Sequence, residues 1–559
     1  MTKANSRHWT KPSALVMLAV AGLVCTALWA KYNPVHAQQE TKAAKKAKTK
    51  PAAKKAEAPL NVPGAGKKLD APSLAKLIDA EVQKRLKEEK VPASSLTDDA
   101  DFLRRVYLDL VGVIPTSDQV LEFLNSKDPN KRAKVIDQLL ADPRFGNYLS
   151  QIWSGLMIPR ESNNRRLDHT PLQKWLAEGF NSNMPLDKLV YELVTATGDQ
   201  DKNGAVTFFV GNPTVDKMTD NVARMFLGVQ LQCAQCHNHP FVDWKQTEYW
   251  GMAAFFMKVR LTTNPQQAAK KGISPGITES AVAKGKKGNL PESAKIVPAK
   301  FLQGAQPTLD KSEPYRPTLA KWVTAADNPF FARAMVNRFW YQLFGRGLVN
   351  PVDDMHEDNS ASHPALLAAL TEQLKNSGFD LKHLLRAICN SETYQRSSRP
   401  VAGNESDTEL YSHMNIRVLT AEQLFDSLVT IVGANGKGDK VKAGKKGPPI
   451  TARENFLAFF RIDEGADPLE FQQGIPQALR LMNSPLLNQS SGPLAKAAKA
   501  GNAPAQVIDQ LYLIALSRKP AEAELQRMIL YVNNQSDPRA AYGDILWALL
   551  NSSEFALNR

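Results

Sequence analysis

At 559 residues, with 43% hydrophobic and 23% charged residues, the chain is long enough for two or three domains with ordinary cores. Its net charge of +14 comes from four Lys-rich stretches: residues 1–37, 38–68, 261–300 and 434–447 together carry +20 and the remainder carries −6. A mildly acidic body argues against a nucleic-acid groove, and four cysteines are too few for a disulfide-stapled scaffold.

The chain opens on a targeting segment. Lys3, Arg7 and Lys11 precede an uninterrupted apolar run over residues 13–30, and Val35-His36-Ala37 offers small residues where a signal peptidase cuts. Residues 1–37 therefore read as a signal peptide, with a retained membrane anchor as the alternative, since the run is just long enough to span a bilayer. Either way the body is exported, periplasmic or at the cell surface. Residues 38–72 are rich in Lys, Ala and Pro and lack the apolar content to fold, so a disordered tether is expected. Its lysines could touch an anionic envelope polymer or a membrane surface; a solvated spacer is the plainer reading.

From residue 73 the pattern is helical. Leu74, Leu77, Ile78, Val82 and Leu86 recur at helical spacing. Helix starts at Thr97-Asp98-Asp99, Pro115-Thr116-Ser117-Asp118 and Asp128-Pro129-Asn130 each lead into apolar runs. Only residues 206–210 look strand-like. A single amphipathic helix over residues 220–232 is expected to deliver Cys233, followed by an aromatic-rich tail through Phe241, Trp244, Tyr249, Trp250, Phe255 and Phe256. Residues 261–300 read as a flexible Gly/Pro/Lys-rich linker, and residues 301–559 as a second helical domain. Helices are predicted there over 319–324, 330–343, 364–375, 381–389, 421–432, 503–516, 522–532 and 541–550, interrupted by a Gly/Lys loop at 433–449. The fold class is all-α: two helical domains, 73–260 and 301–559.

One stretch carries chemistry. Gln232-Cys233-Ala234-Gln235-Cys236-His237-Asn238-His239-Pro240 contains Cys-x-x-Cys-His, the attachment pattern of c-type haem. Two thiols one turn apart can add to the vinyl groups of a porphyrin edge, and the next histidine can ligate the iron. Cys233, Cys236 and His237 are thus the candidate haem c site. His239 is too close in the chain to reach the opposite face. A second axial ligand must come from elsewhere, with Met252 and Met257 nearest and His169 and His413 more distant. Two rivals use the same atoms: a disulfide or redox-active thiol pair, or a structural metal held with His237 or His239.

Other clusters read as structural. Asp353-Asp354-Met355-His356-Glu357-Asp358 could bind a divalent cation or supply an acid/base pair, but the following Ser362-His363-Pro364 marks an acidic loop before a capped helix. Cys389 lies on an apolar helix face, and Arg333, Arg338 and Arg346 are expected to pair with nearby acids.

The run from Asp99 to Gly112 (DADFLRRVYLDLVG), together with FLGVQLQCAQCHNHPF from Phe226 to Phe241, resembles the exported cytochrome-like domain of unknown function described from planctomycetes. Asn328 to Trp340, Leu343 to Val349, Pro351 to Asp354, and Gly378 to Ile388 resemble its companion domain. The resemblance covers most of the chain from about Leu74 onward. It implies cytochrome-like character and no established role. The reading is an exported c-type-haem electron-transfer or redox protein with an unknown redox partner; the alternative is a surface-attached structural or binding protein whose cysteine pair is a disulfide or metal site. A hydrolase resting on the acidic loop is a third and weaker possibility, and whether the chain is an enzyme is left open.

Overall fold

In the computed structural model of the chain, Asp70 caps the first helix by accepting the Ser73 N–H at 2.8 Å, and Pro72 sits in its first turn. This helix, α1 (Ala71–Glu89), buries Leu74, Ile78, Val82 and Leu86 along one stripe. The structure describes residues 62–64, 66–158, 167–263, 267–268, 271–279, 297–432, 452–459, 494, 497 and 503–559. The expected signal segment, most of the tether and the loop at 433–449 lie outside these residues. The end of the tether stretch is docked: Gln373 donates to Gly64 O and Lys67 O and accepts from the Leu69 N–H, each at 2.8 Å.

After α1 come α2 (Asp99–Val111), α3 (Ser117–Asn125), α4 (Lys131–Ala141), α5 (Pro143–Met157), α6 (Thr170–Asn181) and α7 (Leu186–Thr195). Then α8 (Val215–Val222) and α9 (Gln246–Ala253) flank the cysteine motif. The second half holds α10 (Arg316–Val323), α11 (Phe331–Phe344), α12 (Pro364–Asn376), α13 (Leu381–Asn390) and α14 (Ala421–Val432). It ends with α15 (Pro504–Leu516), α16 (Glu522–Asn533) and α17 (Pro538–Leu550). The protein is mostly helical, as the periodicity predicts. Local capping and apolar spacing placed these second-half helices within about three residues.

Three expectations change. Residues 206–210 are helical: a 3-10 turn at Gly204–Val206 runs into a helical turn at Thr207–Gly211. The stretch 261–300 is partly built into a sheet. Strands β1 (Gly198–Asp199), β2 (Val259–Leu261) and β3 (Gly276–Glu279) pair antiparallel in the order β1-β3-β2. Such short strands carry no readable alternation, because their pairing is made by distant chain. At the end of β3 the buried Glu279 accepts from Arg316 Nε at 2.9 Å, fixing this hairpin to α10. The third change, in the predicted helix 220–232, concerns the motif.

Residues Val62–Arg559 pack as one unit. One apolar cluster runs from Ala71 to Met414, joined by Leu513, and so draws on both predicted domains. A second cluster is built from Leu419 to Phe555, with Leu108 and Ile114 reaching in from the first half. Helix α2 joins the two through buried charges. Arg104 donates to Ala515 O and Phe555 O, and Arg105 donates to Tyr394 O, Arg396 O and Arg559 O. Asp109 accepts from the Tyr394 hydroxyl, Arg417 and Asn558. Here β4 (Arg417–Val418) pairs with β5 (Leu557–Asn558). Each buried charge is forked onto several partners, the condition under which burial is tolerated.

Candidate functional site

The apolar pattern of residues 220–232 reads as one helix, yet α8 stops at Val222. A π-helical turn, Ala223–Leu227, follows, and Gly228 then turns left-handed at φ +69°. Pattern alone misses the break because Val222, Met225, Phe226, Val229 and Leu231 are all buried on both sides of it. The left-handed step is where glycine is favoured, and a Cβ at Gly228 would stand 3.1 Å from Ala334 Cβ and Met355 Sδ. The chain then enters a short 3-10 turn, Gln232–Gln235, which carries Cys233 and leads into Cys236.

Hydrogen bonds, rather than sulfur, hold this turn in place. Trp250 Nε1 donates to Gln235 O at 3.1 Å. Gln246 Nε2 donates to Gln235 O and Cys236 O, and the Gln246 N–H reaches Asn238 Oδ1 at 2.9 Å. The His239 N–H donates to Trp244 O at 2.8 Å. Gln246, Trp250 and Asn238 are the residues sequence reading missed as supports of the motif. Trp250 was legible only as one of several aromatics.

Backbone pinned inward leaves the reactive side chains outward. Cys233 and Cys236 are both free thiols and exposed, as is His237. The neighbouring Phe241 is 84% exposed, more than any other large apolar side chain among the described residues.

The two histidines are in opposite tautomers. His237 Nδ1 lies 2.6 Å from Asn238 O, and a carbonyl can only accept, so in the neutral ring Nδ1 carries the proton and Nε2 presents the lone pair. His239 Nδ1 instead accepts from the N–H groups of Phe241 and Val242, at 3.2 and 3.1 Å, so the proton of the neutral ring sits on Nε2. Of the pair, His237 alone offers a ligating nitrogen without changing its contacts.

The expected second ligands fare unequally. Met252 has no exposed surface and is packed within the core, so as folded it turns no sulfur toward the outer face that carries His237. Met257 is half-buried against the same core. His169 is half-buried, and His413 Nδ1 contacts Met414 O at 3.2 Å. Cys389 is fully buried, and burial pushes its thiol well up.

The acidic loop packs against the segment leading to the motif. Met355 N–H donates to Gly228 O at 2.9 Å, Gln230 donates to Asp353 at 3.1 Å, and Arg224 lies 3.6 Å from Asp353. Ser362 does not cap α12: His363 occupies the cap position and gives no side-chain cap bond. Arg346 pairs with Glu409 at 2.7 Å, and Arg338 donates to Arg224 O, bracing the π turn. Burial lowers the pKa of Arg333. Among the described residues, no group of three or more His, Cys, Asp or Glu is arranged to hold a metal ion.

A mostly helical fold thus carries an outward-facing Cys-x-x-Cys-His turn, backed by hydrogen bonds and with one imidazole nitrogen open. The chain carries two recognised family domains in order. Residues 77–261 match PSCyt2, described as a protein of unknown function (DUF1549), and residues 315–461 match PSD1, described as a protein of unknown function (DUF1553). No curated protein and no solved structure matches the chain.

Proposed function

We propose that the protein is an exported electron carrier whose c-type haem is attached at Cys233 and Cys236 and ligated by His237. The observation that carries the reading is the tautomer of His237. Its Nδ1–H on the Asn238 carbonyl orients the ring and leaves Nε2 open, beside two free exposed thiols. The residues present therefore fit the group on its proximal side. When bound, haem supplies a one-electron iron couple.

The chain's own contributions follow from the contacts. Cys233 and Cys236 tether, His237 ligates, and Asn238 sets the ring. Gln246 and Trp250 keep the turn from shifting. Phe241 gives the site an apolar surface that a porphyrin can bury. Met257 is the expected thioether that keeps some exposed surface. An outward-facing centre suits a carrier, because a partner can approach its edge.

A purely structural cysteine pair has less support. The turn's shape is already fixed by hydrogen bonds, so a disulfide or a metal would add little to it. Among the described residues no helix is long and apolar enough to cross a membrane. Export rests on the basic residues Lys3, Arg7 and Lys11 and the apolar run after them.

Expression with a c-type maturation system, followed by a denaturing gel stained for covalent haem, tests the proposal. Pigment should survive denaturation and vanish in the double variant Cys233→Ser, Cys236→Ser. A colourless chain with both thiols open to alkylation would overturn it.

A further inference from the structure

Beneath the cysteine turn lies a polar pair that the proposed carrier does not yet use. Asp220 is in the last turn of α8, and Tyr249 is on α9 with its side chain wholly buried. Asp220 Oδ1 and Tyr249 Oη are both shut off from solvent, and neither makes a well-formed hydrogen bond. The Tyr249 hydroxyl stands beside the Asp220 carboxyl and within electrostatic reach of Cys236. Solvent-shielded, poorly satisfied polar atoms of this kind call for a reason.

Each element packed against Asp220 contributes to its surroundings. Its own helix brings Asp216, the π turn brings Arg224, and α9 brings Tyr249. The 3-10 turn brings Cys236, its C-cap, within electrostatic reach of Tyr249. The turn Ala254–Phe256 carries no titratable group. Burial is the largest influence and the Asp216 carboxylate the next, and together they push Asp220 up to about 7 against weaker pulls from Tyr249 and Arg224.

We infer that Asp220 is the proton-binding residue of the redox centre carried by Cys233, Cys236 and His237. It takes one proton from water onto its carboxylate as the centre receives one electron from a one-electron donor, and it returns that proton to water on reoxidation. The inference rests on the haem reading. The physical reason is charge balance: an added electron makes the site more negative, and a half-buried carboxylate nearby feels this through a medium that screens less than bulk water. Proton affinity should rise on reduction by about tenfold, or ~1 pH unit.

Carbon-13 NMR of the Asp220 carboxyl, identified by its loss in Asp220→Asn, reads its titration in the apo chain, the oxidised holoprotein and the dithionite-reduced holoprotein. The expected midpoint is near neutrality in the apo chain and higher in the reduced than in the oxidised holoprotein. The midpoint potential should fall with rising pH between the two holoprotein midpoints and lie flat there in Asp220→Asn. Two milder variants guard against a misfolded Asp220→Asn: Asp216→Asn should move the titration down and Tyr249→Phe should move it up. A midpoint near 4, or a potential slope that survives in Asp220→Asn, overturns the inference. An unpigmented chain whose Asp220 still titrates near neutrality marks failure of the haem reading instead, and the coupling falls with it.

Discussion

Arg417 donates twice to the Asp109 carboxylate, at 2.7 and 2.9 Å, and so ties a helix of the first matched segment to a strand of the second. Asp109 also accepts from Tyr394 at 2.8 Å and Asn558 at 2.7 Å. Its charge is almost completely buried, so its partners are left uncompensated once it is removed. Asp109→Asn should destabilise the protein by about 3 kcal/mol. Urea unfolding followed by circular dichroism checks this, and a midpoint shared with the wild type would contradict the role given to the pair.

Gly228 ends the π turn in a left-handed conformation, with Ala334 and Met355 close on its open side. Gly228→Ala should cost about 1–2 kcal/mol from backbone strain alone. Thermal melts measure the loss. Hydrogen exchange should localise it to residues 223–237 rather than to the helices around them.

Buried His363 and half-buried Asp220 make opposite pH demands. Burial first, then the nearby Arg85, lowers His363 to about 4 from its ordinary 6.5. The unfolded chain then binds the extra proton between those values, so this stability is full above about 6.5 and is lost as pH falls toward 4. Asp220, raised from 3.8 to about 7, does the reverse: the folded state holds the extra proton, and stability declines as pH climbs through that window. The swing is about 3 kcal/mol for His363 and about 4 kcal/mol for Asp220. Relative to wild type, His363→Gln should gain stability progressively on acidification from pH 7 to 4, and Asp220→Asn on alkalinisation from 4 to 7. Chemical denaturation of each variant at several pH values tests both signs, and parallel profiles would refute them.

Gln246 links α9 to the cysteine turn through three hydrogen bonds, two to backbone carbonyls and one to the Asn238 side chain. Its main-chain bond to Asn238 survives substitution by alanine, while the two side-chain bonds do not. Gln246→Ala should therefore loosen residues 233–239 by about 1–2 kcal/mol with little effect on the global melt. Amide exchange of that stretch, compared with α1 as an internal standard, reads the difference.

Much of the fold is written locally. The helices of the second half follow from caps and from apolar residues three and four apart, and α1 from Leu74, Ile78, Val82 and Leu86. The Cys-x-x-Cys-His run is equally plain, because its meaning lies in residue type and spacing. The break at Gly228 is not, since buried residues continue on both sides and hydrophobicity has no period to lose there. Strands two to four residues long are likewise invisible, their partners lying up to about 140 positions away. The Arg104, Arg105 and Asp109 pattern marked a recognisable run, while the tertiary fold decided that it joins two apolar clusters.

Sequence by itself determined the helical class, the order of the two matched segments and the presence of two thiols and an imidazole in one turn. Only the folded chain decided that those groups face outward, that His237 and not His239 keeps an open nitrogen, that Met252 is sealed in the core, and that Asp220 lies beneath. The reason is that helix formation and residue spacing act within a few positions, whereas exposure, tautomer and proton affinity are set by whatever distant chain packs alongside.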